Sequence, residues 1–499
     1  MTDARLELAD LGAQGGGDAV LERLDGVRVV IEAPADRCRD RADQVALYTM
    51  VNLAARLFPH LELRLGTSAP ACLGPLMGGE LGADLADLAH DLALAPSREP
   101  AEEFHLAFGV APTGNGLAGD AAGWSYSVGP DLISLEPAPG PPFGAIACAT
   151  FLVAQLFATR MAPLGLPVAV TEGFTANLLD LQNRAAPAVP DLVPPRLGPM
   201  VIPGCGSVGS SLLLAAILAG VGGGPLDLID PDRFSVRNVL RYPVLRHEVE
   251  AMKVEWLAEL AEATGLEARP HRGDIQAWLA TLPEPPVIDL AAVSVDTIEG
   301  RRDATDLLAR RTLNLGVGGL SLHMSSHGFA DDGPCAYCQY VDVAPTLSGS
   351  ARLAEMVGLS VERVVELNLG DGLISAADAA AMAATGRFGE RPPREGERLA
   401  DLRRRIYAQA AIPAGERDQQ VLVSAPFVSQ LGGLLLAAEA LKISTPELAD
   451  YRLAGRYDVD LTGPPPGFTR MTGPDESGRC LCHSAFRRRA FANLHGLSA

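Results

Sequence analysis

The chain is expected to be an α/β protein built from two Rossmann-like units, and three features point there. A strand, helix, strand order opens the N-terminal half, and a second such order, carrying a glycine-rich turn, opens near residue 200. The 499 residues also exceed what one core usually encloses, which favours more than one domain. Hydrophobic residues make up 48% and charged residues 20%, enough apolar material for large cores and too much for wholesale disorder. With 41 Lys+Arg against 61 Asp+Glu, the net charge of −20 argues against a nucleic-acid clamp.

Taken in order, Val27–Ala33 is a β-branched run, Gln44–Leu57 carries a helical apolar period, and alternation returns from His60. The joint after the first run, PADRCRD, lacks the glycine a phosphate loop needs. Pro142-Phe143-Gly144 then leads into a small-residue helix suited to close packing. The proline-rich Ala185–Gly198 is the linker candidate. These features divide the chain into a domain over 1–190, a linker over 191–198 and a domain over 199–499, with a helical subdomain inserted at 345–415. The N-terminus lacks a cationic, apolar leader, and the run Val208–Val221 reads as a buried helix too short to span a bilayer. No membrane association and a cytoplasmic location are expected.

The second unit begins with an apolar strand, Met200–Ile202, followed by Gly204, Gly206 and Gly209 in Gly-x-Gly-x-x-Gly spacing and at once by a helix. Such glycines let backbone N–H groups approach a phosphate at a helix N-terminus. The next strand, Leu226–Ile229, ends at Asp230, 21 residues past Gly209, a spacing at which an acid meets a ribose hydroxyl. To this point a NAD-dependent oxidoreductase fits as well. Beyond Asp230 and Asp232, however, lie Arg237, Asn238, Arg241 and Lys253, cations and an amide suited to a triphosphate, with Arg237 read as a solvated surface residue. A further apolar run ends at Asp296, with Arg301 after it. An acid there either holds magnesium or caps the helix starting at Thr297, and its place relative to the glycine loop favours magnesium.

With Gly204-x-Gly206-x-x-Gly209, Asp230-x-Asp232, Asn238-x-x-Arg241, Lys253 and Asp296 in this order, the segment from Pro199 to Thr346, and again Leu431–Leu441, resembles the ubiquitin-activating enzyme superfamily, which includes the ThiF and MoeB adenylyltransferases. The resemblance implies two adenylation-type domains forming an internal pseudo-dimer, the first inactive. It implies ATP and Mg2+ as cofactors, Asp230 on the ribose, Arg241 and Lys253 on phosphates, Asn238 shaping the pocket, and Asp296 serving the magnesium-bound adenylate. The family's Asn-Leu-Asn-Arg-Gln string is Asn238-Val-Leu-Arg241-Tyr242 here, so one polar contact differs. GLLLAAEALKI resembles the family's late helix beside the active site, although its Glu439 and Lys442 equally suit the exposed side of an amphipathic helix.

The implied activity is adenylation of the C-terminal carboxylate of a ubiquitin-like protein ending in glycine, in a bacterial conjugation system that can include a conjugating-enzyme-like partner. A peptide or a sulfur-carrier protein is the alternative substrate. Cys335-x-x-Cys338 and Cys480-x-Cys482 read as a structural Zn2+ site, with His483 as a spare ligand. Residues 339–479 contain no cysteine, so the thioester chemistry the family places after the first cysteine pair has no sulfur there. Thr346, Ser348 and Ser350 are the nearest hydroxyls for an oxyester, each also readable as a loop or cap residue; transfer to an external nucleophile, or a thiol borrowed from the N-terminal half, are the other routes. His323 and His327 lack the glutamate of a metalloprotease motif and read as sheet or loop residues.

Overall fold

The computed structural model describes residues 16–166, 172–192, 194–235, 238–246, 250–328, 333–341 and 424–497, with Arg5, Leu8 and parts of 353–402. The N-terminal half holds β1 (Val27–Ala33), α1 (Arg41–Ala55), β2 (Leu61–Leu65), α2 (Leu81–Asp91), β3 (Glu102–Phe108), β4 (Gly116–Ala122), β5 (Ser125–Gly129), α3 (Phe143–Met161) and β6 (Phe174–Asn177). Its sheet runs β2-β1-β3-β4-β5-β6, parallel through β4 and antiparallel beyond. β1 is buried at all but one position, as a central parallel strand covered on both faces must be. Asp40 starts α1 by accepting from the Ala42 and Asp43 amides at 2.8 and 3.3 Å.

The second sheet is built from β7 (Arg196–Leu197), β8 (Met200–Pro203), β9 (Gly222–Ile229), β10 (Leu266–His271), β11 (Leu290–Val293), β12 (Arg311–Gly318), β13 (Ser321–His327) and β14 (Gly455–Asp460). Its order is β10-β9-β8-β11-β12-β13-β14, the first five parallel and the last two antiparallel, with β7 also paired to β9. The end of the expected linker is thus strand: Arg196 and Leu197 pair with Gly222 and Gly223. Helices α4 (Ser207–Leu218), α5 (Asn238–Arg241), α6 (Lys253–Glu262), α7 (Ile275–Ala280) and α8 (Ile298–Thr305) connect the strands.

Within residues 353–402, α9 (Val361–Leu369) and α10 (Ala376–Ala384) share a small core that includes Leu353, Val357, Val364 and Met382. This unit, spanning 343–420, is compact on its own.

In the larger unit, α11 (Pro426–Ser444) packs on α4 and α3, and α3 packs on α1, so apolar helices join the two sheets through one continuous core. Phe143–Leu164 and Pro426–Ser444 are long and apolar enough to cross a membrane by composition, a property the shorter Val208–Val221 run does not share. Their most apolar windows are 83% and 89% buried inside the protein. The exposed reading of Glu439 and Lys442 is overturned. Both side chains are buried, 2.6 Å apart, and Lys442 donates to the Leu179 and Tyr451 carbonyls at 3.0 Å each. A charge removed from water is retained only when paired and hydrogen-bonded, and this one is both.

Candidate functional site

In the second sheet the strand order reverses between β8 and β11, and an open parallel sheet offers its ligand crevice at that point, beyond the strands' carboxyl ends. The glycine turn lies there. β8 ends at Pro203, and Gly204 takes a left-handed φ of +86° that an L side chain adopts only with strain. A methyl group on Gly209 would lie 2.2 Å from the Gly204 carbonyl oxygen, so the first turn of α4 closes onto the loop only without a side chain there. Ser294, just past β11, donates its hydroxyl to the same carbonyl at 2.8 Å. Gly206 caps α4 without a side-chain acceptor, so the N-cap residue itself leaves the helix's first amides unspent.

Asp230 sits at the carboxyl end of β9. Its carboxylate accepts from the Cys205 amide in the glycine turn and from the Asp232 amide, both at 2.9 Å. Lys253, the first residue of α6, places Nζ 3.4 Å from Asp230 and 2.9 Å from Asp232. Burial pushes the Asp230 carboxyl above its ordinary range, against the pull of Lys253. For Lys253 burial works downward, but Tyr242, Asp230 and Asp232 hold the ammonium up to about 12, so it carries its charge at neutral pH.

Asn238 spends its side-chain oxygen locally, accepting from the Ser235 amide at 2.8 Å and shaping the turn into α5. Arg241 ends that helix with a buried Nε that has no hydrogen-bond partner among the described residues. An unpaired buried donor is costly to keep, and a ligand anion would satisfy it. Tyr242, where the resemblance expects glutamine, is buried against Phe234 and brings its hydroxyl 3.7 Å from a methyl built on Gly206. The phenol thus borders the glycine turn.

Asp296 is exposed three residues past β11, directly after Val295, which lies against Gly204. Thr297, not Asp296, caps α8, accepting from the Gly300 amide at 3.1 Å, which leaves the Asp296 carboxylate unspent as a cap. Arg301 turns away from such a role and holds β12, donating to Asn314 Oδ1 at 2.7 Å and the Leu315 carbonyl at 2.8 Å. One crevice therefore gathers Gly204, Gly206, Gly209, Asp230, Asp232, Lys253 and Asp296. Arg237, Thr346, Ser348 and Ser350 lie outside the described residues. Ser294 is a residue at this crevice that sequence reasoning passed over, a serine directly after an apolar run being the available signal, and Tyr242 was read there only as the loss of a polar contact.

The four cysteines converge. Their sulfurs all lie within 4.8 Å of one another, with Cys335–Cys338 at 3.8 Å, Cys338–Cys482 at 3.5 Å and Cys480–Cys482 at 3.0 Å. Tetrahedral zinc with bonds of about 2.3 Å spaces sulfurs roughly 3.8 Å apart, so the set can hold such an ion with little movement. His483 Nδ1 lies 2.9 Å from Cys480. The remaining thiols differ in setting: Cys38, Cys148 and Cys205 are buried, with burial raising each thiol's pKa, and Cys72 is exposed.

At the corresponding order reversal of the first sheet, between β1 and β3, side chains stand where the second sheet has its glycine turn. Arg37, after β1, pairs with Asp120 at 2.9 Å and Asp43 at 3.4 Å and lies over the Phe108 ring.

Comparison with known proteins covers both halves. The model of the BilD N-terminal domain family matches residues 28–178. An uncharacterized protein, y4jF of Sinorhizobium fredii (strain NBRC 101917 / NGR234), is 26% identical over 392 residues, 72% of this chain and 71% of that protein. Among solved structures, Escherichia coli MccB with MccA-N7isoASN is similar at 17% identity and a TM-score of 0.33, over 56% of this chain and 65% of that one. MccB alone gives 16% identity and a TM-score of 0.29, over 52% and 58%. The matches thus span less than two-thirds of the MccB chains.

Proposed function

We propose that the chain binds ATP at the crevice between β8 and β11 and activates a carboxylate as an acyl-adenylate. A carboxylate oxygen of the substrate forms a bond to the α-phosphorus, the bond from that phosphorus to the bridging oxygen breaks, and pyrophosphate leaves with the electron pair. The observation that carries this reading is the convergence on one crevice of an uncapped helix N-terminus, a buried acid–lysine group and a separate acid, Asp296. In this assignment Asp230 takes the ribose, while Arg241 and Lys253 face the phosphates. Asp296 would hold Mg2+, whose charge would stabilise the departing pyrophosphate.

The substrate class we favour is the C-terminal carboxylate of a polypeptide, foremost a ubiquitin-like protein ending in glycine; a peptide or sulfur-carrier protein undergoes the same chemistry. The absence of a thiol between residues 339 and 479 favours transfer of the activated acyl group to an external nucleophile, such as a conjugating-enzyme-like protein, or to a hydroxyl among Thr346, Ser348 and Ser350. Zn2+ would serve the cysteine cluster as a staple between the ends of this half. ATP–pyrophosphate exchange, run with glycine-terminated candidate proteins and with short peptides, tests the activity. Tight NAD binding without ATP binding would replace the reading with an oxidoreductase.

A further inference from the structure

The segment carrying Arg241 and Tyr242 is held from the other half of the molecule. Asn52 and Arg56, on the last turn of α1 and its C-cap, are 1% and 2% exposed. Asn52 Nδ2 donates to the Pro243 carbonyl at 2.7 Å. Arg56 donates from Nη2 to Pro243 at 3.1 Å and to the Leu245 carbonyl, and from Nη1 to the Val239 carbonyl. Its Nε and Nη2 also donate to Asn52 Oδ1, at 3.3 and 2.9 Å, which fixes the guanidinium plane. Arg246 adds a second tie, to the Leu76 carbonyl at 3.3 Å and to Asp91 at 3.7 Å.

A planar fork of donors that reaches three carbonyls within seven residues fixes a backbone path more tightly than apolar packing does, because each bond has a direction. That path sets where the crevice is lined. Arg241 lies between Val239 and Pro243, the Tyr242 amide donates to the Asn238 carbonyl at 2.9 Å, and the Tyr242 hydroxyl borders Gly206. The 239–245 backbone is thus held from the N-terminal half, and its Tyr242 side chain reaches the glycine turn on the other side.

We infer that Asn52 and Arg56 are positioning residues for the nucleotide crevice: the N-terminal half sets the place of Arg241 and Tyr242 without contributing a group to the ligand. This inference rests on the nucleotide reading above. The test uses the full chain and two readouts, the Kd for Mg·ATP by calorimetry and hydrogen exchange of the 238–246 amides. Arg56→Ala and Asn52→Ala should raise the Kd at least about tenfold and speed exchange at 238–246, with the amides of β9 and β12 exchanging as in the wild type. Arg56→Lys, which keeps the charge but loses the fork, should fall between Arg56→Ala and the wild type. Should Arg56→Ala fail to fold, Asn52→Ala carries the test. Wild-type ATP affinity in folded Asn52→Ala and Arg56→Lys would overturn the inference, as would unchanged exchange at 238–246. A wild-type chain that binds no ATP sinks the nucleotide assignment itself, and faster 238–246 exchange in the variants then shows a clamp on that segment with no nucleotide to serve.

Discussion

Gly206 and Gly209 are three positions apart in the motif and should respond differently to the same added methyl group. On Gly209 the new carbon would sit 2.2 Å from the Gly204 carbonyl oxygen and 3.1 Å from Ser294 Oγ, against a comfortable separation of about 3.5 Å, so loop and helix must part by roughly 1 Å. Overpacking of this kind costs about 1–3 kcal/mol, offset by about 1 kcal/mol because alanine suits a helix better than glycine, which leaves a net loss of up to ~2 kcal/mol. On Gly206, with φ −70°, the methyl group meets, among the described residues, only the Tyr242 hydroxyl at 3.7 Å and otherwise projects into open space. Folding should lose no more than about 1 kcal/mol, the usual difference at a helix cap. The open space is where a phosphate must approach the first amides of α4. Gly206→Ala should therefore weaken Mg·ATP binding at least about tenfold, or ~1.4 kcal/mol, with a near-wild-type melting temperature, whereas Gly209→Ala should lower both. Calorimetric titration beside thermal unfolding decides it. Gly206→Ala binding ATP as tightly as the wild type would refute the placement of phosphate at this turn.

Asp296→Asn and Arg241→Ala should each lower pyrophosphate exchange at least about tenfold with little change in unfolding midpoint, since one loses an unspent carboxylate and the other a cation with an unpaired Nε. Elemental analysis of protein purified without added metal should find about one zinc per chain, and Cys335→Ser or Cys480→Ser should release it and lower the melting temperature. Burial, then the charges of Arg456 and Arg301, depress His323 from 6.5 to about 4, so its stabilising contribution is complete above pH 6.5 and is lost as pH falls through about 4. That gap corresponds to at most about 3 kcal/mol, and urea midpoints measured from pH 7 to 4 should fall less steeply in His323→Gln than in the wild type. Calorimetry should give one ATP per chain, the N-terminal crevice binding none.

Much of the crevice was legible because its parts follow local rules. A glycine that must take a positive φ, an acid at a strand's end and a helix that starts at once are all visible as spacing from Gly204 to Asp230. Ser294 and Tyr242 were not, because their role is fixed by what lies opposite: a carbonyl 90 residues away for Ser294, a methyl-sized gap at Gly206 for Tyr242. Glu439 and Lys442 show the same limit. Their spacing suits a helix surface, and only the Leu179, Tyr451 and Leu453 backbone groups, brought in from outside the helix, make burial tolerable. The cysteine pairs stood out as clusters, but their convergence depends on a C-terminal segment returning past β14. Arg196 and Leu197 became strand because β9 extends back to Gly222, a pairing that a proline-rich stretch conceals.

Both sheets reverse their strand order, between β1 and β3 in one and between β8 and β11 in the other, and they differ in what stands at that point. After β8 the backbone itself, stripped of side chains, faces the opening. After β1 the equivalent place holds Arg37, whose guanidinium is neutralised by Asp120 and Asp43 and stacked over Phe108. We expect this arrangement to weaken phosphate affinity in two ways. The cation is already paired, so little field remains to draw an anion, and side chains stand where bare amides would have to approach. Burial lifts the Asp43 carboxyl to about 6 despite its arginine, so part of Arg37's neutralisation at neutral pH comes from a carboxylate kept charged against its surroundings. Such a group is retained more readily where it shapes a crevice than where it merely adds stability. The far end of α1 in this half carries Asn52 and Arg56, which reach the Val239–Leu245 backbone beside the other crevice. On the proposed assignment, the half whose own order reversal holds a paired arginine thereby fixes the segment that would line the nucleotide crevice of the other.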